Sequence, residues 1–359
     1  MTPDVPRLDV RALLDALGDP RATETFSPVL GVPLVAVEVP DGAAAAGLAG
    51  LVDPSRSAVD VRALPCVVVL VAPDPAVFTG VGHVPLLLGD VLLTDDPDAA
   101  RPFVAPSDGS AAGLDALTAV AAANPLAASA LALLLRSAEG LDVPAGLVAE
   151  SATYSTLQAG AEFLRWRSGR PVKPAEGSGD RVRVEREGSL VRITLVRSQR
   201  RNALDAAMRD ALAEAFALVI ADPDGRLELR GDGPDFCAGG DLDEFGSRPD
   251  PALAHLTRLT RSPARLLHTV AGRATVHLHG ACLGAGIELP AFAGRVVAAE
   301  NTSIGLPEVT LGLVPGAGGT VSLPRRIGRQ RTAWLGLSGQ RVDATQALRW
   351  GLVDRVEEN

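Results

Sequence analysis

Residues 274–290 read Ala274-Thr-Val-His-Leu-His279-Gly280-Ala-Cys-Leu-Gly284-Ala285-Gly286-Ile-Glu288-Leu-Pro290. The first six residues have strand composition, and Gly280–Gly286 is a run of small residues from which a helix is expected to open. Small residues permit tight turns and close approach of a ligand to the backbone. An N–H at a helix start also gains from the helix dipole. One carboxylate, Glu288, stands in this opening turn. A second follows in Gly305-Leu-Pro-Glu308-Val309, and a comparable small-residue turn lies upstream in Phe236-Cys237-Ala238-Gly239-Gly240-Asp241-Leu242.

Working outward, strands alternate with helices. Val182–Glu185 and Leu190–Val196 read as a strand pair around Glu187-Gly188, and Asn202–Ala221 as a helix with apolar residues at helical spacing. Leu227–Leu229 is a short strand feeding the turn at Cys237–Gly240, and Val296–Ala299 is another strand. Gly312–Gly319 reads as a loop, and a helical run begins at Thr320. This alternation predicts an α/β layered architecture. In the N-terminal part, Leu34–Val39 and Cys66–Val71 read as strands with the alanine-rich helix Gly42–Leu51 between them, and 111–168 reads as helical with breaks at Pro125 and Pro144. Residues 169–180 are polar and rich in Pro and Gly, the clearest linker. Two domains are therefore expected, 1–176 and 177–359. Val67–Gly80 weakly echoes Leu227–Gly240, a hint of a degenerate duplicate.

Two carboxylates and two turns with available N–H groups suit one chemistry. Adding water to a conjugated thioester, removing it, or moving the double bond all pass through an enolate. Its oxygen needs preorganised donors, for which the turns at Ala238 and Ala285 are the two candidates. The proton steps need an acid and a base, and two carboxylates sharing one water supply both. Such a pair titrates as a coupled unit.

Residues 182–356 resemble the enoyl-CoA hydratase/isomerase, or crotonase, family. The matching pieces run in order: Arg201–Asp205, Phe236–Leu242, His279–Leu289, Gly305–Glu308, Gly312–Thr320 and Trp350–Asp354. The resemblance implies a ββα spiral core and a homotrimer or dimer of trimers. It implies oxyanion donors at Ala238 and Ala285, hydratase carboxylates at Glu288 and Glu308, and a CoA path along Asn202, Ala203, Leu204, Cys237, Gly239, Gly240, Asp241 and Gly284. It implies an acyl-CoA thioester substrate, with no cofactor beyond its CoA moiety. Pro290 and Ala293-Gly294 depart from the family's pattern, as does the end at Asn359, where crotonases continue with helices that cap the site. Residues 117–168 resemble those helices. The N-terminal domain is thus expected to be a degenerate relative of the core that covers it, in cis or in a neighbouring subunit.

The expected activity is enoyl-CoA hydration or 3-hydroxyacyl-CoA dehydration. The alternatives are isomerisation, cofactor-free oxygenation, or CoA binding without turnover. The chain has 359 residues, 47 % hydrophobic, and a net charge of −9 with Lys173 its only lysine. That balance argues against nucleic acid as a partner. No apolar run reaches membrane-spanning length, and the N-terminus does not read as a signal peptide, so a cytoplasmic location is expected. Cys66, Cys237 and Cys282 fit reduced thiols. Cys237 has no nearby His base to make it a nucleophile. His277 and His279 lack a third ligand, and no metal site is expected. Arg325, Arg326 and Arg329 read as a solvated helix face, with CoA-phosphate contact the alternative.

Overall fold

The computed structural model describes residues 5–48, 59–82, 88–171, 179–247 and 250–358. Contacts group the chain into two compact units, Met1–Glu139 with Ile327–Gly339, and Gly140–Arg326 with Gln340–Asn359. The boundary expected at 176/177 falls in 172–178, outside the described residues, as does the end of the expected helix Gly42–Leu51, seen over Gly42–Gly47.

The first unit holds a parallel sheet in the order β1 (Arg7–Asp9), β2 (Leu34–Glu38), β3 (Val67–Val71), β4 (Val91–Leu93). β2 and β3 are almost wholly apolar and buried, the signature of parallel strands covered on both faces. The helix Arg329–Ser338 belongs to this unit and packs on the helices Gly109–Ala123 and Pro125–Ser137 and on β4. A methyl on Gly336 would come 2.6 Å from the Leu131 side chain, which shows how tightly these helices meet. Buried Asp90 pairs with Arg136 and Arg329, and Arg136 also donates to the Leu64 and Cys66 carbonyls at 2.7 and 2.6 Å. The buried charges are thus paired and hydrogen-bonded, the condition under which they are tolerated. No single helix among the described residues is long and apolar enough to cross a membrane.

The second unit contains two sheets. The six-stranded sheet runs β13 (Arg355–Glu357), β10 (Arg295–Ala299), β8 (Ala274–Leu278), β7 (Arg226–Gly231), β6 (Leu190–Leu195), β5 (Val182–Glu187); only the β5–β6 hairpin is antiparallel. The small sheet runs β12 (Arg341–Asp343), β11 (Ser303–Gly305), β9 (Ala281–Leu283). β8 leads into β9, and β10 into β11, so the chain twice leaves one sheet for the other and then turns into a short helix. This is the ββα spiral that the sequence resemblance implies, within an α/β architecture. Gly280, at φ 55°, makes the first of these transfers, and a side chain there would collide with the Pro234 carbonyl.

Two local boundaries differ from the sequence reading. The helix expected from Asn202 begins at Ala206, because Arg201 and Asn202 take left-handed φ values of 53° and 52° and Asp205 caps Met208 N–H at 2.7 Å. The helix Ala285–Glu288 lasts a single turn, since Pro290 cannot continue its hydrogen bonding and opens the 3-10 turn Pro290–Phe292. The helices expected in 111–168 divide: Val143–Gln158 and Ala161–Ser168 belong to the second unit, and the two before them to the first.

Candidate active site

A cavity of about 240 Å³ in the second unit is lined by Glu150, Tyr154, Gly240, Ala285, Glu288 and Glu308, among others. The elements that build it follow from the turns read above. Gly284, at φ 49°, swings the chain from β9 into the helix Ala285–Glu288 and sets Glu288 in its first turn. Glu308 opens the 3-10 turn Glu308–Leu311 directly after β11. Because β9 and β11 pair in parallel, the two glutamates emerge from adjacent strands on the same side. A methyl on Gly284 would run into Glu308 Oε1 and lie 3.7 Å from Glu288 Oε1. Both carboxylates therefore converge on the one residue that has no side chain to obstruct them.

Glu288 is 2 % exposed and its Oε2 accepts from the Ala317 and Gly319 N–H groups at 2.7 and 2.9 Å. Glu308 is 7 % exposed, and its buried Oε2 has no hydrogen-bond partner. A third buried carboxylate, Glu150, comes from the helix Val143–Gln158. Its oxygens accept from Gly318 N–H at 2.7 Å, Thr320 N–H at 2.9 Å and the Thr320 hydroxyl at 2.7 Å. Burial pushes Glu308 up to about 8 and Glu150 up to about 7. Glu288 is raised well above the usual carboxylate range, by burial and then by the charges of Glu308 and Glu150. Three buried carboxyls cannot all ionise together cheaply. The donors differ in number: three groups face Glu150, two face Glu288, and Glu308 has its own backbone N–H while its Oε2 has no partner. By donor number a negative charge is best supported on Glu150 and Glu288 and least on Glu308, while burial and mutual repulsion raise all three.

The sequence-derived residues fare unequally. Glu288, Glu308, Ala285, Leu204, Gly240 and Asp241 line the cavity, and Gly284 underlies the two carboxylates. Ala238 does not line it, and its N–H donates to the Arg201 carbonyl at 2.9 Å, so the expectation of a free donor there is corrected. Gly240, two residues on, stands at the cavity in its place. Asn202 is fully buried and its amide is consumed within the fold. It accepts from Arg197 N–H at 2.9 Å and donates to the Asp232 and Asp235 carbonyls at 2.8 and 2.9 Å. That makes it a turn clamp rather than a lining group. Ala203, Cys237 and Gly239 also stand off the cavity. Burial pushes the Cys237 thiol up to about 12, so it stays protonated near neutral pH. Of the three arginines read as a solvated face, Arg325 is exposed and donates to the Val321 and Leu141 carbonyls, Arg326 is half-buried, donates to the Ala291 and Ala293 carbonyls and pairs with Asp354, and Arg329 is buried.

Sequence reasoning missed Glu150, Tyr154 and Arg258. Tyr154 is buried against Gly316, where a side chain would strike its ring, and the Arg258 guanidinium lies 4.5 Å over that ring. Arg258 also donates to Ser151 and Ser155. The available signal was periodic: Leu147, Glu150, Ser151, Tyr154 and Gln158 recur at helical spacing and all line the cavity.

The profile of the enoyl-CoA hydratase/isomerase family matches residues 185–358. The chain is 35 % identical over 177 residues to the mevalonyl-coenzyme A hydratase of Aspergillus fumigatus, covering 46 % of this chain and 62 % of that protein. It is 36 % identical over 174 residues to the 2,3-dehydroadipyl-CoA hydratase of Escherichia coli K12, covering 48 % of this chain and 68 % of that one. A crystal structure of an enoyl-CoA hydratase from Thermoplasma volcanium is 32 % identical, covers 50 % of this chain and 72 % of its own, and superposes with a TM-score of 0.45. The matched region thus spans somewhat less than two thirds of the Aspergillus protein.

Proposed function

Since the chain belongs to the enoyl-CoA hydratase/isomerase family, we propose that it adds water across the C2=C3 bond of an enoyl-CoA thioester, or removes it from the 3-hydroxyacyl-CoA in the reverse direction. The observation that carries this is the convergence of Glu288 and Glu308 over Gly284, with opposite hydrogen-bond surroundings.

In this mechanism ionised Glu288 takes a proton from water while the oxygen bonds to C3. The C2=C3 pair shifts so that the thioester carbonyl becomes an enolate. Gly240 and Ala285 donate N–H bonds to the enolate oxygen; Ala285 is suited to this because it opens a helix, where first-turn N–H groups have no intrahelical acceptor. Protonated Glu308 then delivers its proton to C2, the carbonyl reforms, and the 3-hydroxyacyl thioester is released. A proton passing from Glu288 to Glu308 restores the resting state. Each glutamate is thereby used once as acid and once as base, so the cycle calls for no metal or redox group. The relatives' hydratase names support the reaction class. A homotrimer or dimer of trimers in the cytoplasm belongs to the same proposal.

Mass-spectrometric turnover of a mixed enoyl-CoA panel in heavy-oxygen water tests it. Solvent oxygen in a 3-hydroxyacyl product is the expected result. Double-bond migration without oxygen uptake would move the assignment to isomerase. Thioester binding with no turnover of any panel member would leave a binding subunit instead.

A further inference from the structure

We propose that Glu150 is a positioning residue of this site, holding the turn Gly316–Thr320 so that its alternate N–H groups orient Glu288; this rests on the catalytic role proposed for Glu288. Four consecutive N–H groups are shared between the two carboxylates in strict alternation. Ala317 and Gly319 donate to Glu288, while Gly318 and Thr320 donate to Glu150. The segment is the entry to the nine-residue helix Gly319–Ile327, whose first-turn N–H groups have no intrahelical acceptors and whose dipole favours negative charge. Neither carboxylate could satisfy all four donors from its own side.

The packing leaves little slack. A methyl on Gly319 would lie 2.9 Å from Glu288 Oε2, one on Gly316 would strike the Tyr154 ring, and one on Gly146 would come 3.0 Å from the Val321 side chain. The helix carrying Glu150 is therefore pressed against the turn that grips Glu288. Removing the Glu150 carboxylate would strand the buried Gly318 and Thr320 donors, and the turn could recover partners only by moving. Such a movement would shift Ala317 and Gly319, and with them the carboxylate that must face water.

Glu150 also bears charge. All its donors suit a carboxylate, and the titratable or charged groups around it are Glu288 and Glu308 across the cavity, Tyr154 on its own helix, and His255 and Arg258 on the packed helix Pro251–Thr260. Its negative charge opposes ionisation of Glu288. A purely structural strut would not have that effect.

Two readouts on Glu150→Gln in the full chain test the proposal. The first is a carboxyl-carbon NMR titration of labelled glutamate, with the Glu288 signal identified by its loss in Glu288→Gln. The second is steady-state kinetics at pH 8. Expected are a downward shift of the Glu288 titration and a kcat reduced at least about tenfold with KM within about twofold. Thr320→Val, which deletes only the hydroxyl and keeps the Glu150 carboxylate, should lower kcat by less and move the Glu288 titration upward as the turn loosens, and it keeps the test open where Glu150→Gln folds poorly. An unmoved Glu288 titration in both variants overturns the proposal, whatever happens to activity. The titration needs no substrate. If wild type hydrates no enoyl thioester but the Glu288 titration still shifts, the hydratase reading falls while the positioning by Glu150 stands.

Discussion

Two walls of one cavity are built by different rules. One is made of turns: Gly240, Ala285, Glu288, Glu308 and Gly316–Gly318. The other is the helix Val143–Gln158, which presents Leu147, Glu150, Ser151, Tyr154 and Gln158. On the turn wall each position is fixed by backbone geometry. Gly284 must be glycine because its φ is 49° and Glu308 occupies the space a side chain would need. On the helix wall the backbone is regular, and any residue of suitable size keeps the helix. Chemistry that depends on irregular backbone therefore leaves a dense local signature, whereas chemistry mounted on a helix leaves only a period.

The most severe way to break this contrast is to remove the carboxylates of the turn wall. Glu288→Gln and Glu308→Gln are each expected to lower kcat by about 10²–10⁴ with the protein still folded, as stopped assays on the best panel substrate would record. The double variant should be little worse than either single one, because the two act as a unit.

Gly284→Ala probes the backbone itself. The added methyl collides with Glu308 Oε1 in a left-handed conformation, so kcat should fall by about 10² or more while CoA-thioester affinity, read by calorimetry, changes little.

Tyr154→Leu sharpens the contrast from the helix side. It should alter the ratio of kcat/KM values between short and long acyl groups by about tenfold, with kcat on the favoured substrate held within a few-fold. A loss as large as that of the glutamate variants would put chemistry, not shape, on the helix.

The last effect is on stability. Glu308 is raised by burial to about 8 in the folded chain, above its unfolded value of about 4.3. The folded state therefore holds the extra proton between these values. Its contribution is fully present below about 4.3 and is lost as pH rises through about 8. Urea midpoints should fall between pH 6 and 9 in wild type and fall less in Glu308→Gln.

The same contrast explains how much was legible in the sequence. The α/β class, the strand pair at Glu187-Gly188 and the Glu288/Glu308 pair all rest on local patterns: period-two strands, Gly-Pro punctuation and small-residue turns. Ala238 misled because sequence spacing places the turn but not the direction of each N–H; its donor is spent on Arg201. Asn202 misled in the same way, as its amide is used to lock the turn. Glu150 was invisible as a functional residue because its partners lie about 170 positions away, at Gly318 and Thr320. A regular helix gives no sign of which distant turn it will face.

Solvent-deuterium exchange at C2 of a saturated acyl-CoA, followed by mass spectrometry at pH 8 in wild type, Glu288→Gln and Glu308→Gln, tests the division of labour between the two glutamates most directly. Exchange requires the group that serves C2 and the oxyanion donors, but not the group that activates water. Glu288→Gln is expected to keep exchange while losing hydration, and Glu308→Gln to lose both. Exchange retained in Glu308→Gln and lost in Glu288→Gln would contradict that division of labour.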